Sequence, residues 1–160
     1  MAYTAEQLWD EFVATHPTAA EMPHQAWSFG GGSEAADIEA MRVTAGLKQA
    51  TTNLLAMYDH QHAPVPQPNQ AYEILYDGSV HAVAILQFVA VQVLPFNTIT
   101  TEHAYFEGVG DRQLATWQAD KTALFTAQAT AIGTTFTATS PVVSLTFRVV
   151  YTPTLGINRH

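Results

Sequence analysis

Two separated stretches hold the residue types that could do chemistry. Gly46-Leu47-Lys48-Gln49-Ala50-Thr51 places a lysine and a threonine three residues apart, and Glu107-Gly108-Val109-Gly110-Asp111 supplies a carboxylate far downstream. Lys48 is one of only two lysines in the chain. A cation, a hydroxyl and a carboxylate are the parts needed for chemistry on a polar, uncharged group. Such chemistry draws on a nucleophile, a route for protons and a partner for developing negative charge. Thr51 could attack or orient a water. Lys48 would act as a base if desolvated and as an oxyanion partner if charged. Glu107 could protonate a leaving group or orient Lys48. Plainer readings compete: Thr51 is a good strand residue, and a lysine beyond a helix-ending glycine suits the helix dipole. Glu107, at a helix end followed by glycine, is oddly placed for a carboxylate. It calls for a compensating cation, with Lys48 the candidate.

Asn53, Tyr58, Asp111 and Trp117 complete the candidate set as substrate-binding residues. Tyr58 and Trp117 have rings that could stack on a base, although aromatics at helical spacing usually belong to a core. Asp111 reads first as a helix N-cap. His60-Gln61-His62 has metal-like spacing without a clear third ligand, so no metal or other cofactor is expected. Gly30-Gly31-Gly32 lacks the Gly-Lys-Ser/Thr of a phosphate loop, and no Gly-x-Ser-x-Gly elbow occurs.

The elements that must position these residues can be read along the chain. Thr4 and Gln7 form a capping box for a helix to about Thr15, stopped by Pro17. His24 to Phe29 reads as extended or irregular, with Trp27 and Phe29 plugging the core. Ser33 caps a second helix with Ile38, Met41 and Ala45 on one face and Gly46 beyond its end. Thr51 to Tyr58 fits a strand or a short helix. Ala71 to Tyr76 and Val80 to Leu94 read as strands joined by an Asp77-Gly78 turn. Thr98 to Phe106 is a short helix. A longer one capped by Asp111 follows, with Leu114, Trp117, Leu124 and Phe125 on its buried side, and Val142 to Tyr151 closes the series as a strand. The long two-faced apolar strand and the absence of βαβ alternation predict an α+β fold around a small, mostly antiparallel β-barrel with flanking helices.

The chain has 160 residues, enough for one domain with a core, and a net charge of −8 with six Lys and Arg. That excludes a long basic track for nucleic acid. It has no cysteine, which excludes thiolate chemistry and disulfides. With no signal-like N-terminus and no spanning apolar run, the expectation is a cytoplasmic protein with no membrane partner, and homodimerisation is compatible with its size.

The order Trp27-x-Phe29, Gly46-x-Lys48-x-x-Thr51, Tyr58, Pro95-Phe96, Glu107-Gly-x-Gly-Asp111, Trp117 and Phe147-Arg148-Val149-Val150-Tyr151 resembles the ASCH domain family, and most closely the bacterial stand-alone branch with the Glu-Gly-x-Gly-Asp motif. The resemblance implies a PUA-like barrel over residues 27–153. It leaves 1–26 as an N-terminal helical extension packed on the domain and 154–160 as a flexible tail. It also implies Lys48, Thr51 and Glu107 as a catalytic set for amide hydrolysis on a modified pyrimidine nucleoside of the N4-acylcytidine type. The alternative it implies is an RNA-binding module or weak ribonuclease. The chain departs from the branch at Asn53, Gln118 and Lys121, where Arg or Ser, Arg and His are common. Those losses of basic character favour a nucleoside-sized ligand over extended RNA.

Overall fold

The computed structural model describes residues 2–153; the expected flexible tail at 154–160 lies outside them. The elements run α1 (Ala5–Thr15), β1 (His24–Trp27), α2 (Ser33–Thr44), β2 (Ala50–Leu54), α3 (Leu55–Gln61), β3 (Tyr72–Tyr76), β4 (Ala82–Pro95), α4 (Thr101–Glu107), α5 (Leu114–Ala131) and β5 (Pro141–Tyr151), with short 3₁₀ turns at Pro17–Ala19 and Phe96–Thr98. The class is α+β, as expected. The strands form one mixed sheet in the order β1-β3-β4-β5-β2. The closed barrel expected from the sequence is not formed: β1 and β2 stand at the ends of the order rather than pairing. These end strands have four and five residues. β1 pairs with β3 in parallel, while β3–β4 and β2–β5 are antiparallel.

The chain divides into two compact units. The first comprises Met1–Gly46, Pro68–Phe88 and Phe147–His160. Here α1 carries the full capping box, with Thr4 Oγ1 accepting from Gln7 N–H and Gln7 Oε1 accepting from Thr4 N–H. Its Leu8, Trp9 and Phe12 pack with Ile74, Ala82 and Ile85, so the N-terminal helix is part of this unit's core. Glu11 accepts hydrogen bonds from the Tyr3 and Tyr151 hydroxyls and so links the segment before α1 to the end of β5. Trp27 and Phe29 are only half-buried, and the Trp27 indole N–H donates to the buried Glu73 at 2.7 Å.

The α2 expectation needs correction. Gly32, not Ser33, is the N-cap, and the buried face is Ala36, Ala40 and Val43. Ile38 and Met41 are 40% and 60% exposed, and Ala45 is exposed. Backbone comes close at the start of this helix: a Cβ on Gly78 would lie 1.9 Å from Ser33 O. The turn after β3 is also longer than the two-residue hairpin expected. Tyr76 pairs with Ala82, and Asp77 Oδ1 accepts from the Ser79 and His81 amides.

The second unit comprises Leu47–Gln67 and Val89–Thr146. The ambiguous segment after Lys48 is both things in turn, since strand β2 passes directly into helix α3 at Leu55. The core of this unit is Leu54, Phe96, Ala104, Trp117, Phe125, Ala129 and Val142. α5 starts from Gln113 as N-cap, and Asp111 acts one turn earlier by accepting the Gln113 amide at 3.0 Å. Trp117, Phe125 and Ala129 are buried in steps of four or eight residues, and Lys121 falls on the same stripe. Leu124, expected inside, is exposed.

Candidate functional site

Every residue of the candidate site lies in the second unit. Helix α4 is capped by Thr100, whose hydroxyl accepts from His103 N–H. It places His103 and Glu107 one turn apart on the same face. At its C-terminus Gly108 turns left-handed with φ 75°. The segment before β2 docks there: Gln49 N–H donates to Phe106 O at 2.7 Å, and Lys48 Nζ donates to Glu107 O at 3.0 Å. Lys48 thus serves the carbonyl end of α4, where a cation is favoured. A Cβ on Gly108 would lie 2.8 Å from Leu47 O. Gly108→Ala is therefore expected to destabilise by about 1–3 kcal/mol, from positive φ and backbone collision together. An unchanged thermal midpoint would contradict this docking.

Glu107 is fully buried. Lys121 Nζ approaches its Oε2 at 3.0 Å and Lys48 Nζ at 3.9 Å. The Lys121 contact is ionic rather than a well-directed hydrogen bond, since among the described residues Oε2 has no donor aligned on it. On the other oxygen, Oε1, Thr52 Oγ1–H donates in a very short contact, and His103 Nε2 lies 3.3 Å away. Burial alone would push this carboxyl up. Lys121, His103, Lys48 and Thr52 outweigh it and bring Glu107 down to about 2. It is therefore a carboxylate at neutral pH, an acceptor and not a general acid.

The structure brings Lys48 and Glu107 together as expected, but it is Thr52 that meets the carboxylate. Successive strand residues face opposite ways. Thr52 is in register with Ser144 on β5, while Thr51 is in register with the buried Leu145. Ser144 Oγ lies 3.2 Å from His103 Nδ1, and Thr52 Oγ1 lies 2.8 Å from His103 Nε2, so the imidazole is held at both nitrogens. His103 and Ser144 open onto a cleft of about 310 Å³ that Gln49, Ala50, Phe106 and Thr146 also line.

The substrate-binding candidates scatter. Asn53 Nδ2 donates to Tyr58 OH at 2.8 Å, and both line a different cleft of about 240 Å³. Asp111 is an exposed turn residue. Trp117 cannot stack on a ligand in this structure, being 0% exposed and stacked on Phe96 at 5.2 Å between centroids. Among the described residues no group of three or more His, Cys, Asp or Glu could hold a metal, which leaves His60 and His62 without a third ligand. Likewise no helix there is long and apolar enough to cross a membrane. Sequence reasoning missed Thr52, His103, Lys121 and Ser144. The one signal available for His103 was its spacing of four from Glu107.

The ASCH domain family model matches residues 25–151, most of the chain. The chain belongs to the ASCH domain family. Two solved structures share its fold. An ASCH domain from Lactobacillus crispatus JV V101 superposes with TM-score 0.85 at 21% identity, covering 91% of this chain and 93% of that one. A protein from Enterococcus faecalis V583 superposes with TM-score 0.83 at 27% identity, covering 97% and 94%. No curated protein matches the chain. In this ASCH domain both glycine-containing motifs of the sequence meet at one carboxylate: the first delivers Lys48, the second Glu107 and the Gly108 turn.

Proposed function

We propose that this ASCH domain hydrolyses an amide on a small uncharged ligand of the modified-nucleoside type, with N4-acetylcytidine as the working substrate. The observation that carries the reading is the buried Glu107 carboxylate. Two lysines, a histidine and a threonine surround it, and the histidine reaches a cleft. A carboxylate behind an imidazole fixes its orientation and stabilises the imidazolium formed when it takes a proton. The cleft volume falls at the lower end of small-ligand sites, and the net charge of −8 disfavours a polyanion. In this reading His103 moves the proton, Glu107 and Thr52 hold it in place, and Lys48 and Lys121 keep Glu107 ionised.

Incubation with N4-acetylcytidine followed by chromatography tests it. Wild type is expected to release cytidine and acetate, and His103→Gln to lose at least about 10²-fold with an unchanged circular dichroism spectrum. Thr51→Ala beside Thr52→Ala separates the two hydroxyls: loss confined to the first would return the catalytic hydroxyl to Thr51 and move the chemistry to the other face of the sheet. No turnover by folded wild type, with RNA binding that weakens steeply as salt rises, would replace hydrolysis by RNA binding.

A further inference from the structure

The protons around His103 can be counted. Glu107, ionised between two lysines, only accepts hydrogen bonds. Thr52 has a single hydroxyl proton, and it points at Glu107 Oε1. In its 2.8 Å contact with His103 Nε2, Thr52 must then be the acceptor, so Nε2 carries the hydrogen. In the neutral imidazole Nδ1 is consequently bare, and its neighbour at 3.2 Å is Ser144 Oγ, which must donate. Ser144 is thus a hydroxyl whose proton already points at a base, and that base is backed by a buried carboxylate. The register of β2 on β5 builds this. Thr52 and Ser144 are direct cross-strand partners on one sheet face and clasp the ring from its two nitrogens. The next pair on that face is Ala50 opposite Thr146. Its alanine methyl leaves room beside Ser144, and both residues line the same cleft.

We propose that Ser144 is the nucleophile of this domain and that the reaction passes through an acyl-serine. This rests on the hydrolase reading above and deepens it. Ser144 Oγ bonds to the substrate carbonyl carbon as its proton passes to His103 Nδ1, while Nε2–H stays on Thr52 and Glu107. Collapse of the tetrahedral adduct breaks the carbon–nitrogen bond, and Nδ1 returns the proton to the leaving amine nitrogen. Water then attacks the serine ester and gives a proton to Nδ1. The ester carbon–oxygen bond breaks, Ser144 Oγ takes that proton back, and the carboxylic acid product ionises on release. Thr52 cannot play this part, because its only proton is committed to Glu107.

A fluorophosphonate probe, which phosphonylates activated serines, tests the assignment by intact mass and peptide mapping. The expected result is a single adduct on Ser144, formed at least about 10²-fold more slowly in His103→Gln and absent in Ser144→Ala. Thr52→Val, which keeps shape but removes the acceptor for Nε2–H, is expected to slow labelling while leaving the circular dichroism spectrum unchanged. Labelling at another residue, or none on folded protein, overturns the proposal. The two readings fail separately. N4-acetylcytidine turnover that survives in Ser144→Ala sinks the nucleophile and spares the hydrolase. A His103-dependent adduct on Ser144 without that turnover upholds the nucleophile and sinks the substrate.

Discussion

Glu107→Gln is expected to destabilise the protein by about 3–5 kcal/mol at neutral pH, the usual cost of removing one partner from a buried ion pair. The glutamine keeps the shape but leaves Lys121, at 3.0 Å from Oε2, and Lys48, at 3.9 Å, facing a neutral amide in a buried site. The sign of the pH dependence follows from the same carboxyl. Its folded value, about 2, lies below the ordinary 4.5. Stability from this group is fully present above about pH 4.5 and is lost as pH falls toward 2. The difference is worth roughly 3 kcal/mol at 1.36 kcal/mol per pH unit. Urea unfolding of both proteins at pH 7 and pH 3 should show the gap between wild type and Glu107→Gln narrowing in acid. Adding Lys121→Met to Glu107→Gln should recover part of the loss by removing one stranded cation. A gap independent of pH would mean that Glu107 is not held as a carboxylate.

Trp117→Ala should cost about 3–5 kcal/mol, in line with other large core truncations. The indole is fully buried, stacks on Phe96 and shares a cluster with Phe125 and Ala129. Its Nε1–H makes no hydrogen bond among the described residues, so the contribution is packing rather than polar contact. Trp117→Phe should therefore retain most of the stability. A thermal midpoint lowered by about 10 °C or more for the alanine variant would fit a chain of this length. A small shift with a large loss of ligand affinity would instead mean that the ring is a pocket wall.

These two residues show what the sequence could and could not convey. The Lys48–Glu107 association was legible because a carboxylate at a helix C-terminus is electrostatically misplaced and demands a cation. The second cation was not, because Lys121 interrupts an otherwise apolar stripe and reads as a solvated position. The choice between Thr51 and Thr52 depends on strand parity, which is fixed only by register against β5; a slip of one residue exchanges the two faces. His103 lay hidden in a seven-residue helix whose face cannot be assigned without its packing partner. The first helix was readable to the residue because its cap is a local chemical motif. The α2 face was misread because its buried side is built from alanines, which carry little hydrophobic contrast against Ile38 and Met41. The barrel expectation rested on the long apolar β4, whose pattern does not reveal that the strand order stays open.

Both lysines of the chain are consumed in the cage around Glu107. Lys48 is buried and Lys121 keeps only 14% of its side chain exposed, so little lysine amine reaches the surface. Acylation of Lys48, the buried one of the two, would report that the cage has opened, which makes its amine reactivity a gauge of the closed state of the site.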